Sequence, residues 1–93
     1  MFRINVHQTE PGKYRLKHKA TGFQKMAGVT GAASLACDAR ELHLEISYNL
    51  YLAAKMLMRD LLYAKYGDSW KDIEHKHWKK IEKSIVRAIK FAH

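Results

Sequence analysis

Residues 2–20 read FRINVHQTEPGKYRLKHKA, and their alternation decides the fold. Phe2, Ile4 and Val6 are apolar, while Arg3, Asn5 and His7 are polar. After Glu10-Pro11-Gly12, Tyr14, Leu16, His18 and Ala20 alternate with Lys13, Arg15, Lys17 and Lys19. A period of two marks a strand with one buried face. Proline and glycine supply the backbone angles of a turn. The stretch therefore predicts an antiparallel β-hairpin.

The register follows from sorting the faces. A two-residue loop at Pro11-Gly12 sets Val6 opposite Lys17 and mixes apolar with basic. A three-residue loop over 10–12 sets Gln8 opposite Tyr14, Val6 opposite Leu16, Ile4 opposite His18 and Phe2 opposite Ala20. His7 then faces Arg15, Asn5 faces Lys17 and Arg3 faces Lys19. A slip of one residue turns every side chain over, so the sorted register is the expected one. Three-residue hairpin loops with a left-handed glycine are also common.

Working outward, Thr21-Gly22 signals another turn, and residues 23–27 suggest a short third strand. Gly28 and Gly31 punctuate a connector, with Thr30 or Ser34 as candidate helix caps. From Leu35 the period changes. Leu35, Ala39, Leu42, Ile46, Leu50, Ala53, Leu57, Leu61 and Ala64 step by three and four, with Tyr48, Tyr51, Met58, Leu62 and Tyr66 as a second apolar strip. This predicts a long helix over 34–66, closed by Gly67 at its C′ position. Such a helix is about 50 Å long, whereas a domain of this size is about 30–35 Å across. Either it bends near Ser47-Tyr48-Asn49, or it projects, which makes a homodimer through this helix a candidate.

Asp68 or Ser69 restarts the chain, with Asp72 in a capping-box-like relation to Ser69. A second helix over 69–92 follows, its apolar line formed by Ile73, Trp78, Ile81, Ile85, Ala88 and Ala92, with Trp70 and Ile89 beside it. Its other side carries Lys71, His75, Lys79, Lys83, Arg87 and Lys90. The expected fold class is α+β: an N-terminal hairpin, with or without a third strand, packed on a long helix followed by a second amphipathic helix. The 93 residues amount to a single domain.

Charge points toward the partner. Lys and Arg number 17 against 9 acids, a formal charge of +8. Residues 1–30 hold six of the cations and one acid, residues 31–67 hold four of each, and residues 68–93 hold seven cations and four acids. Two basic ends thus flank a neutral middle, which suits an anionic partner, a nucleic acid or an acidic protein surface. Solubility alone also favours net charge. Lysines on an edge strand also serve against aggregation.

The candidate nucleic-acid-binding residues are Arg3, His7, Arg15, Lys17 and Lys19 of the hairpin and Lys79, Lys83 and Arg87 of the last helix. Same-face residues on a strand lie about 6.5–7 Å apart. That is close to the spacing of phosphates along a strand, so the basic face is built to follow a backbone. Trp70 and Trp78 are expected to anchor the last helix rather than stack on bases.

Other chemistries find little footing. The single cysteine, Cys37, excludes an intramolecular disulfide and a cysteine-based zinc site within one chain. None of the six histidines pairs with another at the helical spacing of four that a zinc site uses. Asp38, Glu41 and Glu45 share a helix face but lack a supporting nucleophile or base. The glycines match no phosphate-binding loop. The expectation is therefore no enzyme, no cofactor and no metal. Met1-Phe2-Arg3 leads into no apolar signal segment, and the longest uncharged run is far short of a membrane span, so a cytoplasmic protein without membrane contact is expected. Two function classes remain. One is a small basic accessory or regulatory factor contacting nucleic acid through the cationic hairpin. The other is an inhibitor or adaptor, of the kind phages and mobile elements encode, that docks on a larger protein or nucleoprotein machine.

Overall fold

In the computed structural model, which describes residues 2–29, 35 and 37–90, the hairpin forms as β1 (Ile4–Glu10) and β2 (Lys13–His18). A third strand, β3 (Gln24–Gly28), adds to β2, giving an antiparallel sheet ordered β1-β2-β3. Ile4 pairs with His18, Val6 with Leu16 and Gln8 with Tyr14, the sorted register. The turn reaches it differently from the expected three-residue loop. Glu10 faces Lys13 across Pro11-Gly12, and a bulge between Gln8 and Glu10 takes up the extra residue. Gly12 has φ 76°, a left-handed position that suits glycine. Gly28 answers a different need: a Cβ there would run into the Gly12 carbonyl oxygen. Two backbones meet where no side chain fits, and the neighbouring Val29 N–H donates to that same oxygen at 3.0 Å.

The first helix, α1 (Ala39–Tyr66), starts later than the apolar period suggests. Asp38 is its cap: its carboxylate accepts from the Glu41 N–H at 2.8 Å, and the Glu41 carboxylate accepts from the Asp38 N–H at 3.3 Å. This capping box satisfies two otherwise orphaned donors and sets the first residue of α1 at Ala39, although Leu35 before it is also helical. Leu35, expected in the apolar line, is 91% exposed. The proposed caps Thr30 and Ser34 lie outside the described residues. The helix is unbroken through Ser47-Tyr48-Asn49, and there the Asn49 amide donates to the Gly28 carbonyl at 2.9 Å and ties helix to sheet. The 28 residues of α1 span about 42 Å. The molecule measures 42 × 22 × 22 Å, so an elongated shape accommodates the long helix.

Gly67 ends α1 with φ 61°, its N–H donating to the Tyr63 carbonyl. A 3₁₀ turn over Gly67–Ser69 runs directly into α2 (Trp70–Lys90). Ser69 thus belongs to the turn instead of heading a capping box with Asp72; the expected extension to residue 92 passes beyond the described residues. The helices run antiparallel, as cross-contacts at both ends of one stretch show. Arg59 bonds Glu74 at 2.9 and 3.3 Å, and Lys55 lies 5.3 Å above the Trp78 ring.

The sheet lies on this helical pair. Ile4, Tyr14, Leu16 and Val29 meet Ile46, Leu50, Ala53, Leu57, Met58 and Leu62 of α1, with Ile81 and Ile85 of α2 closing the core. Along α1 the buried line drifts: Met58 and Leu62 are buried, while Ala64, expected in the line, is exposed. The cause is α2, which packs on that flank of the C-terminal half. His18 is buried, its Nδ1 2.8 Å from the Thr21 hydroxyl. Each fully buried Leu or Ile side chain contributes about 1.5–3 kcal/mol.

Candidate nucleic-acid interface

The period-two pattern of β2 becomes a strict division, with Lys13, Arg15 and Lys17 exposed and Tyr14, Leu16 and His18 buried. On β1, Asn5 and His7 are exposed beside Lys17 and Arg15. Arg3 and Lys19 continue the same arrangement just beyond the strand ends, the Lys19 N–H donating to the Arg3 carbonyl at 3.1 Å. All the candidate cations of the hairpin therefore share the sheet face that points away from the helices. Among the described residues, the ion pair that touches this face joins Lys13 to Glu10 at 3.2 Å. It is exposed and contributes at most about 1 kcal/mol. Lys25, which points to the core side, pairs with Asp60 of α1 at 3.4 Å.

The second basic row joins the first. On α2, Ile81 and Ile85 face the core, which turns Lys79, Lys83 and Arg87 outward. Because α2 packs beside β1, a cleft of about 660 Å³ forms between the strand and the helix. Its walls carry Arg3, His7 and Lys19 from the sheet and Lys83 and Arg87 from α2, with no carboxylate among its lining residues. Lys79 stands outside it, in a shallower hollow that shares Lys83 and Arg87. Arg15 and Lys17 remain on the open sheet face, outside the cleft. Five of the eight candidate residues thus surround one space, with three on adjoining surface.

Strand geometry adds a backbone feature. The Lys19–Arg3 bond assigns the odd positions of β1 to the ladder with β2. The backbone N–H and C=O of Ile4 and Val6 therefore point away from β2, toward the cleft that these two residues help to line.

Asn5 and Ser84 also line the cleft and were not among the sequence candidates. Asn5 could have been found from its parity with Arg3 and His7. The Ser84 hydroxyl donates to the Lys80 carbonyl at 3.0 Å, so it is engaged with its own helix. Gln24 and Met26 widen the open face on β3, where Met26 pairs with Arg15.

The other candidates for chemistry are occupied. Asp38 and Glu41 cap α1. Trp70 and Trp78 are half-buried against the core, with Arg59 and Lys71 over the first ring and Lys55 over the second. Among the described residues no group of His, Cys, Asp and Glu side chains could hold a metal ion. No described helix is long and apolar enough to cross a membrane. No family model, curated protein or solved structure matches the chain.

Proposed function

We propose that the chain is a nucleic-acid-binding accessory factor that grips a phosphate backbone in the cleft between β1 and α2, with Arg15, Lys17 and Lys79 as flanking contacts. The observation carrying this reading is the convergence of Arg3, Lys19, Lys83 and Arg87 on one space without a carboxylate. Cations drawn from two distant stretches of sequence, with no carboxylate among the described residues that line the space, have their charge available to a polyanion. Contacts of this kind position a backbone without reading bases, so binding would be strongly salt-dependent and weakly sequence-dependent. No catalytic residue or cofactor is assigned.

A second reading is favoured by one observation, the outward-pointing backbone groups of Ile4 and Val6 on an edge strand beside basic side chains. An extended acidic segment of a protein could add to β1 as a further strand. That is how an inhibitor or adaptor would use the same cleft.

Anisotropy titrations of labelled single-stranded and duplex DNA and RNA at low salt test the first reading directly. Binding that falls steeply as salt rises supports it. Absence of binding to all four ligands at low salt transfers the cleft to the protein-docking reading.

A further inference from the structure

The outer face of α1 carries a pattern that the nucleic-acid reading leaves unused. Glu41, Glu45, Tyr48, Leu52, Lys55 and Arg59 are spaced by four, three, four, three and four. That is the spacing of a coiled-coil seam. The seam runs acid, acid, apolar, apolar, base, base. Tyr48 and Leu52 are exposed, with Leu44 and Met56 exposed alongside them. Leu50, midway along, is fully buried on the opposite side of the helix.

We propose that this seam is a homodimer interface in which two copies of α1 pack antiparallel about a two-fold axis at the level of Leu50. Such an axis sets each residue opposite the one equally far beyond Leu50 on the other copy. Tyr48 then meets the partner's Leu52, with Leu44 and Met56 on opposite flanks of the seam. Glu45 meets the partner's Lys55, and Glu41 meets the partner's Arg59. Every apolar residue of the seam lands on an apolar one and every acid on a base, each twice by symmetry. At 100° per residue, the mean direction of the seam points away from the Leu50 side chain, so the partner helix approaches from the side away from the sheet, and the axis runs between the two helices, perpendicular to both. A parallel pairing would set acid on acid and base on base, so the charge order selects the antiparallel one. A shallow crossing near 20° keeps the outer charge pairs in reach.

The basic end of the seam is already positioned by the molecule itself. Lys55 lies over Trp78, and Arg59 is held by Glu74 through Nε and Nη2, which leaves its Nη1 for the partner's Glu41. The proposal is independent of the nucleic-acid reading, and its test uses no nucleic acid.

The test is sedimentation of the full chain and two exposed charge reversals, with circular dichroism confirming that each variant is folded. The wild type is expected to form dimers. Glu45→Lys and Lys55→Glu each set two like-charge pairs across the axis and are each expected to weaken dimerisation by roughly thirtyfold. Mixed in equal amounts, the two variants restore both attractive pairs and are expected to recover the dimer as a heterodimer. A monomeric wild type at high concentration, undiminished dimers in either variant, or a mixture that stays monomeric would each overturn the proposal.

Discussion

Salt dependence offers the sharpest test of the cleft, because counterion release counts cations directly. Four permanently charged side chains line it: Arg3, Lys19, Lys83 and Arg87. If each neutralises one phosphate of a duplex, these four contribute about −3.6 to the slope of log K against log salt, in addition to what the flanking contacts supply. Between about 50 and about 200 mM salt this is a loss of roughly 150-fold in affinity. Replacing Lys19 and Lys83 together by alanine leaves two contacts in the cleft, lowers its share of the slope to about −1.8 and its share of the loss to roughly 12-fold over the same range. The control removes the same charge elsewhere. Lys65 and Lys71 are exposed near the Gly67 end of the helical pair, and neither lines the cleft. The Lys65→Ala/Lys71→Ala variant is expected to keep the full slope. Anisotropy titrations of one labelled duplex across the salt series measure all three. Equal slopes for the wild type and the Lys19/Lys83 variant refute the cleft as the binding site. Equal slopes for the two double variants show binding by net charge alone, which refutes it as well.

Three further outcomes test the fold that builds this site. Ile85→Ala empties a fully buried position of α2 behind the cleft and is expected to cost about 2–5 kcal/mol in urea unfolding; a loss under about 1 kcal/mol would mean that α2 does not close the core. Gly28→Ala brings a Cβ onto the Gly12 carbonyl and is expected to cost about 1–3 kcal/mol by the same assay, with faster amide exchange at the β2–β3 pairing. Asp38→Ala removes the cap of α1 and is expected to cost about 1 kcal/mol, whereas Asp38→Asn, which still caps, loses much less.

The sheet was the most legible part of the sequence. Period two fixes both the pairing and the face of each cation from Arg3 to Lys19, because slipping the strands would bury lysines. The bulge at Thr9 was not legible, since a bulged two-residue turn and a three-residue loop give the same pairing from Gln8 inward. The start of α1 was misread for a physical reason. Leu35 keeps the apolar period and is itself helical, but Cys37 and Asp38 interrupt the helix, and the Asp38–Glu41 capping box starts α1 afresh at Ala39. Periodicity also placed Leu61 and Ala64 in the core line. Leu61 does pack against the core, partly buried, but Ala64 is exposed, and Met58 and Leu62 of the second apolar strip are buried because α2 folds back on their side. For the same reason the cleft itself was invisible in the sequence. Each basic row can be read from its own element, but their meeting depends on α2 packing beside β1 and not β3.

The positions of cleft and seam on α1 tie the two proposals together. The core, and with it the sheet, lies on the side of α1 that carries Ile46, Leu50 and Leu57, while the seam through Tyr48 and Leu52 lies on the reverse side. A dimer closed through the seam therefore carries its two sheets outermost, on opposite sides of the paired helices. Each cleft borders its own sheet, so the two lie apart on either side of the paired helices, and a duplex shorter than that separation reaches only one of them. On such a short duplex each protomer binds alone. On long DNA a second segment reaches the second cleft, and linkage raises the apparent affinity by up to about 10²–10⁴ without new contacts. The ratio of affinity for long over short DNA isolates this effect, because a substitution's own charge acts on both lengths and cancels. Wild type is expected to show a ratio well above one, measured at protein concentrations where it is dimeric. Glu45→Lys is expected to bring the ratio close to one, and its mixture with Lys55→Glu to raise it again. A ratio that Glu45→Lys leaves unchanged would mean that the seam has no part in how the protein holds DNA.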